Sequence, residues 1–151
     1  MPIRPEMRWY YPIDWPVLSA AIRFGRANGR CERCGRPHGQ AIRQLHDGRW
    51  FDEAATAWRG DDGAPALWPD IEAYATIQMK TYHLSAAHID HDPTNSAWSN
   101  LKALCQRCHL QHDRANNQAN RYWRYRARFA LGDFWAGDYA KLTGHQAHLT
   151  R

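Results

Sequence analysis

Four cysteines in two tight pairs constrain this chain more than any other feature. They read Cys31-Glu-Arg-Cys34 and Cys105-Gln-Arg-Cys108. A C-x2-C knuckle aims two thiolates at one ion, and two knuckles complete a closed tetrahedral shell. The pattern therefore predicts one structural zinc with no open position and no chemistry of its own. Arg33 and Arg107 sit inside the knuckles, where their charge favours the thiolate form. Two disulfides would be out of place in a chain without a secretion signal, and a thioredoxin-like redox pair uses one such motif in a βαβ setting. Between Cys34 and Cys105 lie 70 residues, against about 15–20 in a compact zinc ribbon, so substantial structure is expected between knuckles that the metal ties together.

The 151 residues amount to one domain on a prior of about 100–200 residues each. No apolar run approaches the roughly 18 residues of a membrane span. Met1-Pro2-Ile3-Arg4-Pro5-Glu6 holds no apolar signal region, and 44% hydrophobic residues with 8 Trp and 7 Tyr exclude a wholly disordered chain. A cytoplasmic globular protein is the expectation. The net charge is +5, and 17 of the 20 cations are Arg, whose planar fork suits phosphate. Residues 47–72 run against this balance with seven acids and two bases, a local charge of −5 that leaves +10 on the rest. The basic surface is thus expected on the two flanks, with the acidic insertion a hairpin lid or a partner surface.

Along the chain, the Pro- and aromatic-rich residues 1–13 suggest extended backbone. Asp14-Trp15-Pro16 suggests a helix start with an acidic cap, weakened or ended by Gly25 and Gly29. Residues 40–46 alternate as a strand, followed by the turn signal Asp47-Gly48, and 60–70 suggest a loop. Residues 74–88 suggest a strand with Tyr82, Leu84, Ala86 and His88 on one face, and His83 on the other. Residues 109–131 lack Pro and Gly and predict one helix, with Tyr122, Tyr125 and Phe129 toward a core and arginines toward water.

Residues 84–113 hold a denser pattern. His88 closes the predicted strand, Asn100 follows 12 residues later, and His109 comes nine after that, directly behind a knuckle. The string A-H-I-D-H-D-P-x-N-x(4)-N-L-x-x-L-C-x-x-C-H resembles the HNH endonucleases of the ββα-metal class. The resemblance covers residues 84–113, and Cys31–Cys34 extends it to the companion knuckle. It implies an α+β fold with a ββα-metal core, a structural zinc site of four cysteines and flanking N- and C-terminal helices, in a single nuclease domain over 1–151.

Phosphodiester hydrolysis needs an activated water, a cation on the leaving oxyanion and a held geometry. His88 at a strand end is the expected general base, and His109 on the adjacent helix an expected ligand of the catalytic metal. The resemblance gives Asn100 the part of bracing the loop that carries His88. Asp113 lies at i+4 from His109 on the same helix face and is a plausible further ligand, in a place where colicin-type relatives carry His. Ala87 departs from the family, which usually has Asp or His there as a metal ligand. Asp90, His91 and Asp92 are the candidates to replace it, with His91 or Asp90 favoured. If Asp90-His91 were instead the usual Asp-His pair, only nine residues would separate it from Asn100, which is short. His112 is expected to be solvated or to touch phosphate, and Asn95 to shape a turn.

Arg114, Arg121, Arg124 and Arg128 lie in a run mixing cations with aromatics, which suits phosphate and stacking, and Arg23, Arg26, Arg30, Arg33 and Arg36 form a second basic stretch. The expected activity is metal-dependent hydrolysis of DNA with little sequence specificity. The metal would be magnesium or manganese, with nickel or zinc admitted by a nitrogen-rich shell, and RNA is admitted by the same chemistry. A phage or prophage setting is an association of the family. Two rivals follow from Ala87 and the insertion: a zinc-stabilised DNA-binding module without catalysis, and a protein-interaction domain.

Overall fold

The computed structural model describes residues 5–129, without the side chains of Glu6, Arg128 and Phe129. The expectations for residues 1–4, for 130–131 and for the Arg128 and Phe129 side chains lie outside the described residues. The chain forms two units, the first ending at His112 and the second opening at Asp113.

Pro5–Tyr10 is a 3-10 helix, not extended backbone. Pro5 stands at its first position, where a fixed φ and a missing N–H cost nothing. Helix α1 (Trp15–Ala20) starts where Asp14-Trp15-Pro16 predicts. The cap is not the carboxylate, however: the Asp14 carbonyl accepts from the Val17 and Leu18 amides, and its side chain makes no cap bond. The helix then widens into a π turn, Ala21–Arg26, closed by the Ala27 N–H on the Ile22 carbonyl at 3.0 Å. Gly25 does not end it. The stop comes at Asn28 and Gly29, both left-handed at φ 49° and 69°.

Between the knuckles, β1 (Ala41–Gln44), β2 (Trp50–Asp52), β3 (Ala57–Arg59) and β4 (Gln78–Thr81) form an antiparallel sheet in the order β3-β2-β1-β4. Asp47-Gly48 turns β1 into β2, with Gly48 at φ 94°. The 60–70 loop ends at the short helix α2 (Ile71–Ala75), whose N-cap Asp70 accepts from the Ala73 amide at 2.7 Å. Leu45, Phe51 and Trp58 form a small core here.

The single strand expected over 74–88 is instead three elements: the end of α2, then β4, then β5 (Leu84–His88) in a different sheet. Tyr82 fixes the break. Its carbonyl accepts from Gly39 and its hydroxyl donates to Gln44, so Tyr82 is the last residue tied to β1 before the chain crosses to pair with β6. β5 pairs antiparallel with β6 (Leu101–Cys105), Leu84 opposite Cys105 and His88 opposite Leu101. Helix α3 (Gln106–His112) follows β6 directly. The main core gathers Ile22, Leu84, Ala87, Leu101, Ala103 and Leu104 around the four cysteines.

The one helix expected over 109–131 is broken at Asp113: α3 ends at His112, and α4 (Arg114–Phe129) begins the second unit. Tyr122 and Tyr125, expected in a core, are 55% and 60% exposed. No helix among the described residues is long and apolar enough to cross a membrane.

Candidate metal centres and active site

Cys31, Cys34, Cys105 and Cys108 are buried, unbridged and mutually within 4.8 Å. Tetrahedral zinc with Zn–S bonds near 2.3 Å sets its sulfurs about 3.8 Å apart. Cys34 Sγ and Cys105 Sγ are 3.7 Å apart, so the residues fit the ion that their spacing predicts. The Cys105 amide donates to Cys31 Sγ at 3.3 Å, a bond that favours thiolate. Hydrogen bonds, first from Cys105 and then from Cys108, pull the Cys34 thiol down to about 7. A buried cluster of this kind can hold a structural metal.

The cation beside this cluster is Arg36, which is fully buried. Burial opposes its charge, but Cys34 and Asp61 outweigh that and raise its pKa above the ordinary value. Asp61 belongs to the acidic insertion, and its Oδ1 also pairs with Arg107 at 2.6 Å. Three other acids of the segment are similarly engaged: Asp52 with Arg30 and Arg59, Glu53 with Arg43, Asp47 with Arg49. The expected basic stretch around the first knuckle is therefore largely neutralised, since Arg26 pairs with Glu32, Arg30 with Asp52 and Arg36 with Asp61. Arg107, expected to serve the thiolates, is held by Asp61 as well.

The histidines assemble where β5, its following loop and α3 meet. The His88 ring lies parallel to Trp15, centroids 5.2 Å apart and planes 12° apart, with the edge of Tyr11 at 5.7 Å. It is only 9% exposed. Its Nε2 faces Ser96 Oγ at 3.3 Å. Burial lowers its pKa, and His109 adds to that, against the opposing pull of Asp90 and Asp92. The imidazole is thus neutral near pH 7, the form that accepts a proton.

Asn100 braces the loop. Its Nδ2 donates to Asp90 Oδ1 (2.8 Å) and the Asn95 carbonyl (2.7 Å), and its own carbonyl accepts from the Ile89 amide. Asp90 is a loop organiser: Oδ1 also accepts from the Asp92 amide and Oδ2 from Asn95 Nδ2. These bonds, the one from Asn100 foremost, hold its carboxyl at about 2. Asp92 accepts twice from Thr94, closing the next turn. Of the three candidates to replace the missing ligand at Ala87, His91 is the one that meets another ligand type in this unit. It sits at φ 63°, and its ring stacks on His112 with centroids 4.4 Å apart.

His112, expected only to be solvated or to touch phosphate, is therefore the partner of His91, with ligating atoms within 4.8 Å. Its Nε2 also meets the His88 carbonyl at 3.1 Å. His109 lies one turn back, with Nδ1 against Ser85 Oγ at 2.8 Å. Asp113 is the next residue after His112 and opens the second unit. The sequence reading missed Trp15, Tyr11, Ser85 and Ser96. The first two are remote in sequence, and serines carry no pattern by themselves. It also missed Lys102, exposed on β6 directly opposite Ala87. Arg114, Arg121 and Arg124 are exposed along α4.

Comparison with protein-family models, curated proteins and solved structures finds no match for this chain.

Proposed function

We propose that the protein is a metal-dependent endonuclease of the HNH type, with β5, β6 and α3 as its ββα core and a four-cysteine zinc site as its structural pin. The observation that carries this reading is the seat of His112, whose ring stacks on His91 and whose Nε2 meets the backbone carbonyl of His88. His88 and Asn100 are the first two members of the expected HNH spacing, and Asn100 makes the loop contacts that the family resemblance implies. His112 stands one turn beyond its third member, His109, whose Nδ1 meets Ser85.

In this reading neutral His88 takes a proton from water at its imidazole nitrogen, and Trp15 and Ser96 hold the ring's plane and edge. His91 and His112 would hold a divalent cation. When bound, such a cation would supply charge neutralisation for a leaving oxyanion. Two imidazoles favour manganese, nickel or zinc over magnesium. Lys102 and the exposed arginines of the second unit supply phosphate contacts, with DNA as substrate.

Ala87 supports a second reading, a zinc-stabilised DNA-binding module without catalysis, because no carboxylate stands where the family has one. Nicking of supercoiled plasmid by zinc-loaded protein separates the two. Cleavage that needs added manganese, magnesium or nickel and is lost in His88→Ala supports the nuclease. Retention of DNA without cleavage under any of these ions supports the binding module.

A further inference from the structure

Trp98 is half exposed, and it opens the 3-10 turn Trp98–Asn100 between the candidate loop and β6. Two residues before it, Ser96 faces the His88 ring; two residues after it, Asn100 holds Asp90. Its indole is not a loose surface ring. The Arg26 guanidinium lies over it, 5.3 Å from the centroid.

Arg26 in turn is fixed on every side. Nε and Nη2 each donate at 2.9 Å to the Glu32 carboxylate, Nη1 donates to the Trp98 carbonyl, and Nη2 also donates to the Leu101 carbonyl. Glu32 sits in the first knuckle and accepts from the Ala103 amide of β6. The zinc knuckle, the end of the π turn and the start of β6 therefore converge under one aromatic ring. Trp9 and Trp68 are also exposed, but among the described residues no guanidinium lies against either ring.

With its charge already matched by Glu32, Arg26 is poorly placed to bind phosphate. It backs the indole, and half of the Trp98 surface stays exposed to solvent. An aromatic ring backed by a fixed cation is a ready stacking surface, because ordering it on binding costs little. We propose that Trp98 is the platform on which an unpaired nucleobase of the substrate stacks, so that this site takes single-stranded or locally unpaired nucleic acid. The inference rests on the nuclease reading for its substrate class, and it adds strand state to that reading. Bases in a duplex are already stacked on their neighbours and cannot reach the ring, whereas an unpaired base of any identity can.

The test uses the full zinc-loaded chain, without added divalent metal, and a single-stranded oligonucleotide carrying 2-aminopurine, alone and annealed to its complement. Stacking on Trp98 quenches the 2-aminopurine fluorescence. The wild type is expected to bind the single strand about ten- to a hundredfold more tightly than Trp98→Ala, with the duplex affinity unchanged. Trp98→Phe keeps most of the affinity and the quench. Equal single-strand affinity and quench in the wild type and Trp98→Ala overturns the platform. If plasmid nicking persists in that case, the nuclease reading stands without it. A Trp98-dependent affinity without nicking upholds the platform on a binding module, while no binding to either oligonucleotide and no nicking overturns both.

Discussion

Arg36 donates to Asp61 Oδ1 at 2.9 Å, and this pair joins the first knuckle to the acidic insertion. Arg36 is fully buried two residues beyond Cys34, while Asp61 reaches in from a loop 25 residues away and also holds Arg107 beside Cys105. Gly63, two residues on, comes so close that a Cβ there would lie 2.7 Å from the Cys34 carbonyl oxygen. The insertion is a buttress of the metal centre. Two of its acids, Asp52 and Asp61, pair with arginines that flank the cysteines: Arg30, Arg36 and Arg107.

Replacing Asp61 by Ala is expected to destabilise the protein by about 3 kcal/mol, because it leaves a buried guanidinium without its counter-ion. The Gly48 carbonyl still accepts from Arg36, which keeps the loss from being larger. Burial raises the Asp61 pKa, but Arg107 and Arg36 outweigh that and hold it below the ordinary carboxylate value. A lowered folded pKa gives stability that is present above about pH 4 and lost as the pH falls through the folded value. Asp61→Asn should therefore lower the urea midpoint at pH 7 and flatten its decline in acid. An unchanged midpoint at pH 7 would show that the pair contributes nothing.

The zinc centre should be a condition of folding, since the main core is built around four sulfurs. Purified protein is expected to carry one zinc per chain by elemental analysis. Removing it with a strong chelator, or replacing Cys105 by Ser, should collapse near-ultraviolet circular dichroism from the tryptophans. Metal-free protein with an unaltered spectrum would count against a structural zinc.

How far the sequence carried depends on the kind of signal. The cysteine cluster was legible because thiolates at knuckle spacing have one common use. The His88 and Asn100 positions were legible through the motif, and Asn100 does hold the loop. The break between β4 and β5 was passed over, although the apolar positions change phase there: Ile77 and Met79 fall on one parity, and Tyr82, Leu84 and Ala86 on the other. The stop at Asp113 was not legible, in a stretch with neither Pro nor Gly. The pairing of His91 with His112 depends on a left-handed residue in a loop and on α3 ending there, and neither is written in residue spacing.

That pairing gives a direct prediction for the proposed second metal site. His112→Ala should weaken the binding of added manganese or nickel by more than tenfold, a cost that even outer-shell partners of a metal reach. Zinc content should remain at one per chain, because His112 lies outside the cysteine cluster. Calorimetric titration of zinc-loaded protein makes the comparison. Equal affinity in the variant would remove His112 from the site.

Asn100→Ala should separate activity from stability. Two donated bonds to the 90–95 loop disappear, at roughly 1 kcal/mol because the loop is exposed. The same loss frees the loop that follows His88, and misplacement by about 1 Å costs on the order of 100-fold in rate. The nicking rate should fall by about that factor while the urea midpoint moves little. A proportionate fall in both would make Asn100 a folding residue alone.

His38 sets a pH dependence independent of the candidate site. Its Nδ1 accepts from the Leu84 amide at 2.9 Å, at the very start of β5. Its ring edge meets His83, and Phe24 lies against it at 5.1 Å. Burial lowers its pKa, and repulsion from His83 and Arg23 adds to the shift. Protonation at Nδ1 would end the Leu84 bond. Because the folded pKa lies below the ordinary histidine value of about 6.5, the stabilising contribution is complete above that pH and declines as the pH falls through the folded value. Asn at this position offers an amide oxygen to Leu84 without titrating. His38→Asn should match the wild type at pH 7.5 and lose less of its urea midpoint at pH 5, with the remaining decline owed to groups such as His88. Parallel decline of the two proteins would mean that the Leu84 bond survives protonation.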